Sequence, residues 1–113
     1  DGILFAGEVM NLDLRNTELV VLSSCESGTG ELIRGEGLLS LNRAFQFAGV
    51  KNTISTRWKI SDKASARLMV YFYKKLLDGA TYSEALRFAK LKMIKKSKTA
   101  TPKLWAGFTL TGS

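Results

Sequence analysis

The sequence has no histidine, a single cysteine and a single proline among 113 residues. Without histidine, no Ser-His or Cys-His pair can be assembled from these residues alone, and most zinc sites are excluded. One cysteine cannot form an intrachain disulfide, and it fits a reducing, cytoplasmic compartment. No run of about 18 apolar residues occurs, so no membrane span is expected. The opening Asp1-Gly2 lacks the basic, apolar and cleavage regions of a signal peptide, and it lacks an initiator methionine. The expectation is a fragment or a processed product. No metal and no cofactor are expected.

Hydrophobic residues make up 45% of the chain and charged residues 24%, which is a globular rather than a disordered composition. The length suits one domain, residues 1–113, with enough burial for a core without staples. The formal net charge of +7 is unevenly spread. Residues 1–56 hold four basic and seven acidic side chains, and residues 57–113 hold thirteen basic and three acidic ones. Such asymmetry can mark an acidic partner or nucleic acid, but lysine-rich helices commonly just solvate their outer faces. No aromatic residue interleaves with the basic run from Lys90 to Lys98, so bases have no stacking platform there. A nucleic-acid partner is not expected. Were one to bind, its affinity would fall steeply with salt.

Alternating elements emerge along the chain. Gly7 to Asn11 reads as a helical turn leading to Leu12 and Leu14. Leu19-Val20-Val21-Leu22 is a short apolar run, partly β-branched, which reads as a strand buried on both faces. Cys25 to Gly37 reads as a loop. Leu38 to Ala48 is an amphipathic helix with Leu38, Leu41, Phe45 and Ala48 on one face and Gly49 just past its end. Asn52 to Thr56 is a second strand. Ser61 or Asp62 caps a helix carrying Ala64, Leu68, Phe72 and Leu76 at a spacing of four. Thr81 opens another, with Glu84 completing a capping box and Ala85, Ala89 and Met93 on one face. Pro102 ends the basic stretch, and Trp105 to Thr111 reads as a final strand.

This order predicts an α/β layered fold with a mostly parallel sheet. Two central strands are few for such a sheet, so further strands are expected upstream of Asp1. A partial sheet exposes an unpaired strand edge, from which a homo-oligomer is an expectation.

Ligands in open α/β sheets sit at the carboxyl ends of the strands, and Cys25 follows the first strand there. Its own backbone N–H can help hold an oxyanion. The alternative is a buried, inert thiol, the commoner fate of a lone cysteine, and the neighbouring Glu26 disfavours the thiolate. The glycines at 28 and 30 do not make a phosphate loop: no G-x-x-x-x-G-K-[ST] occurs, and Ile33 stands where a third glycine is needed. Arg34 lies too far from Cys25 for a cysteine-phosphatase cradle.

The segments Leu19 to Gly28, Gly35-Glu36-Gly37-Leu38-Leu39, Arg43-Ala44-Phe45, Asn52 to Trp58, Phe72 to Leu76, Glu84-Ala85-Leu86 and Trp105 to Gly112 together resemble the CHAT domain family. These are caspase-like cysteine peptidases related to separase and often attached to tetratricopeptide repeats. The likeness covers the whole chain in order. Ser24 and Ser27 stand where the family commonly has Ala and Thr.

The resemblance implies a three-layer αβα caspase-like fold, of which this chain is the C-terminal part, the N-terminal strands being absent. It implies a protein or peptide substrate and a Cys-His dyad with Cys25 as nucleophile. The family's histidine lies upstream, outside this chain, so these 113 residues alone are expected to be inactive. Ser23 matches a position that floors the pocket for the substrate residue before the cut. Trp58 and Asp62 flank that pocket, where Asp62 would favour a basic substrate residue, unless it merely caps its helix. A catalytically dead module used in protein interaction is the other reading.

Overall fold

The computed structural model describes residues 11–22 and 35–112, with side chains in the second stretch described from residue 41 onward. Strand β1 (Leu19–Leu22) is followed by helix α1 (Gly35–Phe47), strand β2 (Asn52–Thr56) and helices α2 (Asp62–Leu77) and α3 (Tyr82–Lys95). A 3-10 turn at Pro102–Leu104 precedes strand β3 (Phe108–Gly112). The turn expected at Gly7 to Asn11 lies almost wholly outside the described residues.

The sheet has the order β1-β2-β3. β1 pairs with β2 in parallel, Leu19 opposite Asn52 and Leu22 opposite Ser55. β2 pairs with β3 antiparallel, Thr56 opposite Phe108 and Asn52 opposite Gly112. The sheet is therefore mixed, not mostly parallel as the element order suggested. The reason is the number of helices between strands. One helix, α1, returns the chain to the end where β1 began, so β2 runs parallel to it. Two helices joined by residues 78–81 form an αα-hairpin, which brings the chain back to the end where β2 finished. β3 must then run the other way.

Helices lie on both faces, and the alternation of strand side chains sorts them. Val20 and Leu22 pack with Leu41, Ala44, Phe45, Ala48 and Val50 on the α1 side. Leu19, Val21 and Leu110 pack on the opposite face against a larger cluster built from Ile54, Leu68, Phe72, Ala85, Ala89 and Met93. The period-four positions of both hairpin helices are buried as their spacing predicts, except that Leu76 is half-buried. Under α1 the Thr53 hydroxyl donates to Asn42 Oδ1 and accepts from Gln46 Nε2 at 3.5 Å, so these buried polar groups are satisfied.

The helix ends follow local chemistry. α1 begins at Gly35, within the stretch read as loop. It ends in a Schellman motif: Val50 N–H donates to Phe45 O and Gly49 N–H to Gln46 O, each at 3.1 Å. Gly49 sits at φ +113°, and a Cβ there would lie 2.9 Å from the Arg15 backbone, so only glycine fits. α2 is capped by Ser61, whose Oγ accepts from Ala64 N–H at 3.1 Å. Trp105 lies in a turn, not a strand. Its backbone N–H, the donor a ladder would need, goes to Pro102 O, and its ring N–H donates to Ala100 O.

α3 carries the capping box read from Thr81 and Glu84: Glu84 N–H donates to Thr81 Oγ1 at 3.1 Å, and Thr81 N–H to Glu84 Oε1 at 2.9 Å. The backbone N–H of Thr81 holds the Glu84 carboxyl below its ordinary pKa, with its side chain and Lys75 helping. A carboxyl whose folded-state pKa is depressed stabilises the fold above its unfolded pKa, and that contribution is lost as pH falls through the folded value. Glu84→Gln keeps the hydrogen-bond acceptor but does not titrate. Urea unfolding across the acid range should show wild type more stable than Glu84→Gln at neutral pH, with the gap closing on acidification. A gap that is independent of pH would contradict this assignment.

Candidate functional site

Parallel pairing of β1 and β2 places both carboxyl ends at one edge of the sheet, Leu22 level with Ser55. Antiparallel β3 starts at the same edge, with Phe108 beside Thr56. Three parts of the described chain meet there: the end of β1 at Leu22, residues 57–61 after β2, and residues 96–107 before β3. This is the edge at which open α/β sheets hold their ligands.

Trp58 joins two of these segments. Its ring N–H donates to Lys103 O at 2.7 Å. The ring lies against Gly107, where an added Cβ would come within 2.9 Å of ring atom Cε2. Beside it, Arg57 N–H donates to Gly107 O at 3.0 Å. Trp58 thus packs on the approach to β3 and keeps 39% of its surface exposed. It can act as a wall and still touch a ligand. Two residues on, Ile60 is 1% exposed and anchors the segment in the core.

Asp62 is the first residue of α2 and is exposed. The cap is made by Ser61, so Asp62 is not needed for capping. Its carboxylate sits in the first helical turn, where the partial positive charge of the helix end favours an anion. Trp58 and Asp62 therefore both present surface from one short segment at the strand-end edge. Ser23 and Cys25 lie outside the described residues. At the start of β3, Lys90 Nζ donates to Phe108 O at 2.6 Å, and burial lowers the Lys90 pKa. This contact ties α3 to the same edge.

Two partners of Trp58 escape a reading of the sequence. Lys103 contributes a backbone oxygen, which any residue would supply. Gly107 has a visible signal, being a glycine just before a strand, but nothing local tells which ring it accommodates. Among the described residues, no group of three or more His, Cys, Asp or Glu side chains is arranged to hold a metal ion. No helix among them is long and apolar enough to cross a membrane.

The chain is 38% identical over 112 residues to tetratricopeptide repeat protein 28 of Mus musculus and 36% identical over 112 residues to that of Homo sapiens. Each alignment covers 98% of this chain but 4% of the relative, so the chain spans a small part of the curated proteins it matches. No solved structure matches it. The model of one family, the CHAT domain, matches residues 1–113. A match that runs the whole length, beside relatives of this identity, makes the chain a member of the CHAT domain family.

Proposed function

We propose that this chain is the C-terminal part of a CHAT-type cysteine endopeptidase, with Cys25 as its nucleophile and the general base supplied from outside these 113 residues. The observation that carries the reading is the shared edge. β1 ends with Leu22 at the edge of the sheet where Trp58 and Asp62 present their surfaces, and Ser23-Ser24-Cys25 comes next in the sequence. Family membership supports the thiol chemistry, and the zero histidine count requires a base from elsewhere.

The chemistry has two steps. A histidine takes the Cys25 proton, and the thiolate attacks the scissile carbonyl carbon to give a tetrahedral adduct. The imidazolium protonates the leaving amine, the C–N bond breaks, and an acyl thioester remains on Cys25 until water hydrolyses it. Ser23 contributes to the floor of the pocket for the residue before the cut, and Trp58 forms a wall. Asp62 attracts a lysine or arginine side chain. The names of the relatives support a tetratricopeptide-repeat region in the parent protein, and β1, which pairs on one side only among the described residues, supports self-pairing of the isolated chain.

Thiol reactivity tests the dyad. A free cysteine titrates at about 8.5, and a histidine partner lowers that value by units. Alkylation of Cys25 in the intact protein is expected to follow a pKa well below the ordinary thiol, whereas the 113-residue chain alone should titrate close to it. An ordinary profile in the intact protein would remove the dyad and with it the peptidase reading.

A further inference from the structure

Between the start of α2 and the loop after α3 lies a cavity of about 520 Å³. Lys63 and Arg67 line it from one helix, and Lys96 and Lys98 from the end of the other. No acidic side chain is among its lining residues. Among the described residues, none of these four cations forms a salt bridge, although Lys51 elsewhere pairs with Glu18 at 3.1 Å. Four like charges around one concavity repel one another, and a bound anion relieves that cost. We propose that this cavity is a binding site for a compact, multiply charged phosphoanion carrying two or more phosphoryl groups.

The site is held in place from both sides. Thr99 is buried; its hydroxyl donates to Met93 O at 2.6 Å and its N–H to Lys96 O at 2.9 Å, which fixes the loop bearing Lys96 and Lys98. The same bonds occupy a carbonyl at the end of α3 that would otherwise oppose an anion. Facing it, α2 offers the positive end of its dipole, and the Ser61 hydroxyl keeps its proton free to donate while Oγ accepts from Ala64 N–H.

Arg67 on α2 and Lys96 just past the end of α3 both act on the Tyr71 phenol through their charge. Burial pushes the Tyr71 pKa up, but the nearby cations Lys96 and Arg67 outweigh it and leave the phenol below its ordinary value.

Size and lining set the ligand class. A volume of this order belongs to small-ligand pockets and exceeds the needs of a single phosphate. Apart from polar and charged side chains, Ala64 and Leu104 form the walls, and no aromatic ring offers a stacking surface for a base. The diphosphate or polyphosphate part of a ligand is what these residues recognise. This proposal does not depend on Cys25.

The test is calorimetric titration of the intact protein with inorganic pyrophosphate and with orthophosphate. Pyrophosphate should bind saturably at one site and more tightly than orthophosphate. The Arg67→Gln/Lys96→Gln double variant should weaken it by at least about tenfold, as loss of charge-assisted contacts implies. Lys74→Gln/Arg87→Gln, which removes as much charge outside the cavity, should leave affinity within about twofold, since distant exposed charges are largely screened. Saturating wild type with pyrophosphate should raise the Tyr71 pKa, read by NMR, and this needs no variant to fold. Absence of saturable binding, equal losses in the two double variants, or an unmoved Tyr71 would each overturn the site. So would binding of single-stranded RNA that pyrophosphate does not displace, because the charge would then act as a diffuse field.

Discussion

Replacing Cys25 by alanine is expected to abolish peptide cleavage by the intact protein, lowering its rate by at least about 10⁴-fold. The size follows from the proposed chemistry. Without the sulfur no acyl intermediate forms, and only binding and oxyanion contacts remain to accelerate attack by water. The substrate to use is a peptide with lysine or arginine before the scissile bond, because Asp62 is exposed beside Trp58 at the strand-end edge. The variant should keep the circular dichroism of wild type, so that a loss of rate reports chemistry and not unfolding. Equal cleavage by both proteins would remove Cys25 from the reaction. No cleavage by either, across physiological partners, would leave a caspase-like module that binds proteins without cutting them.

The largest loss of stability is expected from Phe72→Ala. Phe72 is fully buried at the centre of the α2–α3 packing. Its ring meets Tyr73 edge-on with centroids 5.2 Å apart and lies nearly parallel to Tyr82 at 6.5 Å. Truncation removes the transfer energy of the ring and leaves a cavity that two packed helices cannot readily close. Such substitutions cost about 3–5 kcal/mol, a large part of the 5–15 kcal/mol that typically holds a domain together. Urea unfolding of the intact protein should show this as a lowered midpoint for the transition containing this domain. A loss below about 1 kcal/mol would mean that the site collapses freely and that the helix pair is looser than its burial implies.

What could be read in the sequence was mostly what is local. The Thr81–Glu84 box, Gly49 past the end of α1 and the period-four stripes of α2 and α3 depend on residues within one or two turns, and each appears as its pattern predicts but for the half-buried Leu76. The antiparallel direction of β3 follows from the two helices that precede it, a consequence that the parallel pairing expected of α/β chains does not contain. The strand's start was misplaced because Trp105 is apolar and aromatic, which suits a strand, while its hydrogen bonds go to Pro102 and Ala100. At the strand-end edge, Trp58 and Asp62 are named by the resemblance alone, whereas Lys103 O and Gly107, which meet the Trp58 ring, are distant in sequence from it and carry no chemical label. The cation cluster was hidden in the same way: Lys63 and Arg67 look like a solvated helix face until the loop bearing Lys96 and Lys98 is brought opposite.

The contacts of Trp58 have a meaning for the evolution of chain length. Residues 57–58 and 103–107 are joined by Arg57 N–H to Gly107 O and by Trp58 Nε1–H to Lys103 O. The two helices between them therefore form a closed excursion, which leaves the sheet and rejoins it at one clasp. The far end of that excursion, residues 78–81, is about 24 Å of helix away from Asp62. Gly79 there has open space around it, with nothing within 4 Å of an added Cβ. Insertions or a whole grafted element at this tip would lengthen the hairpin without moving the strand ends. The edge that carries Trp58 and Asp62 is thereby insulated from changes of length at this tip.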